Sequence, residues 1–248
     1  MITVCLLTID RYWTTKYVIE SFLKATELEI ELLVLDNGSS DTRAIEFIEG
    51  LIESKKFSNL LKVGTIKESE NIGVAQGFNK LIKEASGDYI CITGNDILLN
   101  KNWLNHLLYY NRTIKNSGIT AIHSVKNRGK YSPLLDVHDE FVNVWKTEDN
   151  VVYGTWLFNK TLIEEVGLFD ERIGKYGLWD SQFCWRACQL GYNNYYIPEQ
   201  HGLHLEDYDC SERYKKNKSE EFKKSEANLS EIKQEMIKTK NYKYVQHA

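Results

Sequence analysis

The chain alternates short apolar runs with longer amphipathic stretches. Residues 2–8 form a continuous apolar run, which is strand length and too short for a buried helix. Residues 12–26 place Tyr17, Val18, Phe22 and Ala25 at helical spacing. A second apolar run at 29–35 predicts a strand. It ends in the turn-forming cluster Asp36-Asn37-Gly38-Ser39-Ser40-Asp41, with Ser40 as N-cap of a helix running to residue 54. The same logic predicts strands at 60–66, 88–93 and 119–125 and helices at 73–85 and 102–114.

The second half is less regular. Residues 126–150 have no clear period and predict a long loop with one strand near 141–145. A strand at 151–158, a helix at 161–166 closed by Gly167, a helix at 180–190 closed by Gly191 and a strand at 194–197 follow. From residue 211 the chain is charged and helical, with Tyr214, Phe222, Leu229, Ile232 and Met236 loosely on one stripe. No internal repeat occurs, and no apolar run approaches the roughly 20 residues of a membrane span.

Strand–helix alternation of this kind predicts an α/β fold, a mostly parallel sheet with helices on both faces and a C-terminal helical extension. Such sheets bind ligands beyond the carboxyl ends of their strands. The polar clusters at 8–11, 36–41 and 94–96 each follow a strand directly, so three sets of polar side chains converge on one sheet edge.

Composition narrows this picture. The chain has 248 residues, 42% hydrophobic and 27% charged, enough apolar material for a sizeable core. Its net charge of −4 gives no global basic field, so no nucleic-acid partner is expected. Residues 211–248 hold ten basic and six acidic side chains, a net of +4, which leaves −8 on the rest. Of five cysteines, Cys5 and Cys91 lie within strand runs, Cys184 and Cys188 have helical spacing, and Cys210 stands apart. These read as reduced thiols rather than a disulfide framework or a zinc site. The chain opens directly into a strand, which predicts a cytoplasmic protein, with contact at a membrane periphery as an option.

Three segments concentrate candidate chemistry. The first joins LLTIDR at 6–11 to LLVLDNGSSD at 32–41. A carboxylate at a strand end, as in Asp36, can accept a hydrogen bond from the imide N–H of a pyrimidine base; it can equally cap the next helix. The second is ENIGVAQGFNKLIKEASGDYICITGNDI at 70–97. There Asn71 and Gly73 open a helix whose N-terminus favours phosphate, and Gly73 permits close backbone approach. Asp96, in Gly94-Asn95-Asp96, offers one carboxylate to a hard cation. The third is FDERIGKYGLWDSQFCWRACQLGY at 169–192, with Asp180 at a helix start and Trp179 beside it.

In order and spacing these segments resemble the family 2 glycosyltransferases across roughly residues 1–205. The resemblance implies the A-type glycosyltransferase fold. Residues 1–210 would form the catalytic domain, with a nucleotide-binding half at 1–98 and an acceptor-binding half at 99–210; residues 211–248 would be a helical extension. It implies transfer of a hexosyl unit from a UDP- or dTDP-linked donor to an acceptor hydroxyl with inversion. Thr8, Asp36, Asn37, Asn71, Gly73 and Asn95 would bind the nucleotide. Asp96 would hold Mn²⁺ or Mg²⁺, with His204 (ahead of His201) as a further metal or phosphate ligand. Asp180, kept ionised at its helix N-terminus, would be the base, and Trp179 a wall for a sugar ring.

The pattern departs from the family where Gly94, Asn95, Trp179 and Gln182 replace acidic residues. A non-catalytic sugar-nucleotide-binding accessory subunit is therefore the alternative. The acceptor would be a glycan or a lipid-linked sugar, with the 126–150 loop and its Trp145 as acceptor wall or lid. The C-terminal helices would pack on the domain, with homo-oligomer formation or peripheral membrane contact as further readings.

Overall fold

β1 (Ile2–Thr8) and β2 (Ile30–Asp36) are buried on both faces, which is why each is a continuous apolar run. They pair in parallel from Ile2–Ile30 to Thr8–Asp36, so the polar residues that end the two strands arrive side by side. β3 (Leu60–Lys67) pairs in parallel outside β2 and is mostly half-buried or exposed, as an edge strand is. β4 (Tyr89–Thr93) pairs in parallel with the other side of β1.

The computed structural model describes residues 1–124, 135–139, 142–146, 152, 154–205 and 212–246. Its remaining strands are β5 (Ile97–Leu98), β6 (Ser117–Ser124), β7 (Leu135–Asp139), β8 (Val142–Lys146), β9 (Thr155–Asn159) and β10 (Asn193–His204). The sheet runs β3-β2-β1-β4-β9-β6-β10-β8-β7. β9 is antiparallel to both of its neighbours, while β6 and β10 are parallel to each other. β5 pairs antiparallel with the end of β10, setting Ile97 opposite His204.

Helices cover both faces. On one lie α1 (Tyr12–Lys24), α2 (Arg43–Glu49), α3 (Leu51–Ser54) and α5 (Trp103–Thr113), sharing a core with Val4 and Leu6. On the other lie α4 (Val74–Glu84), α6 (Thr161–Val166) and α7 (Trp179–Gln189), packed with Cys5. Successive β1 side chains thus feed opposite cores, as the pleat requires. α8 (Glu212–Thr239) buries Ile232 and Met236 against Ile173, so the sparse C-terminal stripe docks on the domain.

Several elements differ from the pattern-based expectations. The helix expected from Ser40 to residue 54 starts after Thr42 and breaks into two at Gly50. Ser40 caps nothing: its N–H and hydroxyl both donate to Asp10 Oδ1, tying the loop after β1 to the loop after β2. His201 and His204 are strand residues rather than loop residues. β10 continues past Pro198 through a register shift between Ile197 and His201, which absorbs the missing proline N–H. Residues 126–150, expected as a loop with one strand, include the antiparallel pair β7–β8. The acceptor-wall or lid reading of that segment, the Trp145 side chain and Cys210 lie outside the described residues. Cys5 and Cys91 are free thiols, and burial pushes both upward in pKa. Among the described residues no helix is long and apolar enough to cross a membrane.

Candidate active site

The carboxyl ends of β1 and β4 and the loop after β2 open into one cleft of about 1140 Å³. Thr8, Asn37, Asn71, Asn95 and Asp96 line one side, and Trp179, Asp180 and His204 also line it. Thr8 and His204, at opposite ends of the domain's sequence, therefore meet at the edge where the three polar clusters were expected.

The side next to β1 and β2 is a tight polar net. Asn37 is buried, accepts from Ile72 N–H at 2.8 Å and donates to Gly73 O at 3.4 Å. It works first as a clamp on the Asn71–Gly73 turn. Asn95 donates to Thr15 Oγ1 at 3.0 Å and to Thr8 Oγ1 at 3.5 Å, and the two threonine hydroxyls bond each other at 2.8 Å. Asp36 is held by Ser39, whose N–H and hydroxyl donate to its Oδ1 at 2.9 and 2.5 Å. Asp36 and Gly73 stand just behind the lining rather than in it. Gly73 has φ +95°, and a Cβ there would lie 2.9 Å from Lys175 Cα, so the turn needs glycine both for its backbone angle and for space.

Asp96 stands between two basic side chains. Its Oδ2 accepts from Arg11 Nη1 at 3.0 Å and lies 3.6 Å from His204 Nε2. β5 accounts for this proximity, because its pairing with β10 carries His204 back over the turn, and Leu205 N–H donates to Asp96 O at 2.7 Å. Gly94 lies against the same carboxylate: a Cβ there would sit 2.7 Å from Asp96 Oδ1, which would have to turn away. Asp96 and His204, a carboxylate and an imidazole on one point, fit a divalent ion such as Mn²⁺. No group of three such side chains occurs among the described residues, so donor phosphates and water would complete the shell.

Asp180 is the second residue of α7, preceded by Leu178 in the left-handed region at φ +60°. The cap position is thus Leu178, and Asp180 instead accepts from Ser181 N–H at 2.7 Å. Burial in the cleft wall raises its pKa to about 6, against the lowering effect of the Ser181 N–H. The helix N-terminus alone predicts a carboxylate that stays ionised; burial moves its titration up to about 6. Those surroundings include Trp179, whose ring packs 5.2 Å from Phe78, 5.7 Å from Trp156 and 4.9 Å from Phe169. Trp179 touches the cleft, but it is mainly the edge of an aromatic core. Gln182, in place of an acid, is fully buried and bonds Asp170 at 3.3 Å and Arg186 at 2.8 Å, so it serves the core too.

Sequence reasoning missed the roles of Arg11, Lys175 and Phe222, all of which line the cleft. Arg11 sits in the quoted LLTIDR segment, and a basic residue at a strand-to-helix turn beside an acidic cluster was the available signal. Lys175 O accepts from Val74 N–H at 2.9 Å, and its ammonium donates to Asn71 O at 2.8 Å. Phe222 reaches the cleft from α8, against Gly177; nothing local in the sequence marks it.

The family model for glycosyl transferase family 2 matches residues 3–165. No curated protein matches the chain. Among solved structures, the chain is similar to a mannosyltransferase from Pyrobaculum calidifontis in complex with GDP-Man and Mn²⁺. That pair has a TM-score of 0.68 and 16% identity, covering 86% of this chain and 59% of the other. It is also similar to GalNAc-T7 with UDP, GalNAc and Mn²⁺, at a TM-score of 0.64 and 14% identity, covering 82% and 43%. A third is S. aureus TarS 1–349 in complex with UDP-GlcNAc, at a TM-score of 0.60 and 16% identity, covering 81% and 57%. At these identities the likeness establishes the fold. The chain spans about 40–60% of the length of these solved chains.

Proposed function

The chain belongs to glycosyl transferase family 2, and from that premise we propose that it transfers a hexosyl unit from a UDP- or dTDP-linked donor to an acceptor hydroxyl with inversion. The observation that carries the proposal is one cleft lined both by the polar ends of parallel strands and by a carboxyl of raised pKa, Asp180. The nucleoside lies over the β1 and β2 ends, near Thr8, Asp36 and Asn37. The diphosphate lies against Asn71, Asn95 and the first turn of α4, whose N–H groups favour negative charge.

Reaction follows from position. The acceptor oxygen attacks the anomeric carbon on the face opposite the diphosphate. The carbon–oxygen bond to the diphosphate breaks, and its electron pair leaves with the nucleotide. Asp180 takes the hydroxyl proton during attack, a role suited to a carboxyl with pKa near the working pH. Holding both substrates in one cleft supplies much of the rate. When a divalent ion is bound, Asp96 and His204 would hold it, and it would neutralise the departing diphosphate. Trp179, next to Asp180 in the chain, is packed on Trp156, Phe169 and Phe78. Assignment of Asp180 rests on geometry and pKa, since it lies beyond the matched residues 3–165. The acceptor is read as a glycan or lipid-linked sugar and the protein as cytoplasmic, with C-terminal contacts to a second copy or a membrane periphery.

The test measures nucleotide release from a panel of UDP-, dTDP- and GDP-sugars with glycan acceptors, together with calorimetry of the free nucleotides. Asp180→Asn should keep nucleotide binding and lose transfer by about 100-fold or more. A wild-type protein that binds nucleotide yet releases none with any acceptor would favour the accessory-subunit alternative.

A further inference from the structure

Phe222 is an aromatic side chain of the cleft lining that stays 37% exposed. Phe78 and Trp179 line the same cleft, but they pack on each other and on Phe169 within the aromatic core. The placement of Phe222 is set by the docking of α8. Ser225, one turn further along, donates to Tyr176 O at 2.6 Å. Asn228, another turn on, donates to Arg172 O and Ile173 O at 3.0 Å each. Ile232 and Met236 then bury themselves against Ile173. Residues three and four apart share one helix face, so the face that docks α8 also carries Phe222 to the cleft. There the ring lies on the bare backbone of Gly177, where a Cβ would meet Phe222 Cδ2 at 2.5 Å.

We infer that Phe222 is the platform on which the acceptor's sugar ring stacks, so that α8 supplies the acceptor subsite. The inference rests on the glycosyltransferase reading and deepens it: the acceptor is a pyranoside, and the wall expected of Trp179 is formed by Phe222. Position supports this first. Gly177 and Asp180 are three residues apart, a span of at most about 11 Å, so a group resting on the Phe222 ring lies beside the carboxyl assigned as base. Chemistry supports it next. Glu220 and Glu221 line the cleft next to Phe222. An aromatic face bordered by carboxylates suits a pyranose, whose ring C–H groups pack on the apolar face while its hydroxyls donate to the carboxylate oxygens. The nucleoside end of the cleft is built instead from polar side chains such as Thr8, Asn37 and Asn95. α8 lies beyond the matched residues 3–165, so this assignment is geometric.

The test uses binding, so it does not depend on finding the natural acceptor. The full chain, saturated with UDP and Mn²⁺, is titrated with the methyl pyranosides of glucose, galactose, mannose and N-acetylglucosamine. Saturation-transfer NMR reads the pyranoside Kd, and calorimetry reads the Kd for UDP. At least one pyranoside should bind the wild-type protein, with saturation strongest on the C–H groups of one ring face. Phe222→Leu keeps apolar bulk on Gly177 and removes the aromatic face; it should raise the pyranoside Kd about fivefold or more and move the UDP Kd by less than about twofold. Phe222→Tyr restores the face and should bind the pyranoside within about twofold of wild type.

Pyranoside binding by Phe222→Leu equal to wild type overturns the inference, because the ring then only covers Gly177. So does a Phe222→Tyr protein as weak as Phe222→Leu, which marks the ring as a fold element. A UDP Kd that rises as far as the pyranoside Kd overturns it in favour of a donor contact. Failure of all four pyranosides to bind wild-type protein that holds UDP overturns it alone. Failure of the wild-type protein to bind UDP at all removes the functional reading beneath it as well.

Discussion

Asp180→Asn tests the electrostatic account of the cleft through stability as well as rate. Burial raises the Asp180 carboxyl from 3.8 to about 6 in the folded protein. In the unfolded chain it titrates near its ordinary value. Between those two pH values the native state holds the proton and the unfolded state does not, so the native state binds more protons. Stability therefore falls as pH rises through that window. A shift of two units is worth about 3 kcal/mol, an upper figure because water at the cleft mouth screens part of it. Asparagine keeps the shape and the acceptor oxygen for Ser181 N–H while removing the ionisation.

Urea unfolding of both proteins at pH steps from about 4 to about 8 isolates this group, since titrations common to both cancel in the difference. The Asn variant should match wild type near pH 4 and exceed it by about 1–3 kcal/mol near pH 8. Transfer by the wild-type enzyme should show an acid limb in kcat/KM close to the raised value of about 6. A stability difference that stays flat with pH, or an acid limb down near 4, would refute the reasoning: the carboxyl would then be solvated and its apolar wall irrelevant to its chemistry.

Gly73→Ala puts a Cβ 2.9 Å from Lys175 Cα at a backbone angle of φ +95°. It should cost about 1–3 kcal/mol in thermal unfolding and raise the Kd for UDP in calorimetry, because the turn that carries Asn71 must shift. Asn228→Ala removes two hydrogen bonds of 3.0 Å to Arg172 O and Ile173 O. The expected loss is about 1–2 kcal/mol of stability, with kcat lowered more than UDP affinity, since those bonds hold the chain leading to Asp180 and not the nucleotide side.

The fold was legible where local pattern and tertiary burial agree. β1 and β2 are doubly covered strands, so their uninterrupted apolar runs mark them without ambiguity. The convergence of the clusters at 8–11, 36–41 and 94–96 follows from parallel pairing alone, and they do meet at one cleft. Legibility fails where a long-range contact sets the conformation. β5 has two residues and exists because β10 pairs with it, and β10 runs past a proline because a register shift spares the ladder. The site shows the same division. Asp96 and Asp180 were visible from position after a strand and at a helix start. Arg11 became informative only once Asp96 stood 3.0 Å away, and Phe222 only once α8 had docked on Gly177. For Trp179, expected as a wall for a sugar ring, the sequence could not show the three rings packed around it.

The 174–178 loop joins the start of α4 to the start of α7. On one side its Lys175 carbonyl receives the first N–H of α4, and the Lys175 ammonium grips Asn71 O. On the other, Ser225 of α8 donates to Tyr176 O at 2.6 Å, and Gly177, at φ +84°, lets Phe222 pack within a Cβ's reach. Leu178 then turns in the left-handed region and launches α7 with Asp180 in its first turn. A leucine in that conformation costs of order 1 kcal/mol and persists only where its neighbours over-determine it. Here they do: the loop is fixed by α4 from the nucleotide side and by α8 from the other. The family match ends at residue 165, before the loop, α7 and α8 begin. The start of α7, and with it Asp180 in the cleft lining, is therefore tied to two separate elements, α4 and α8.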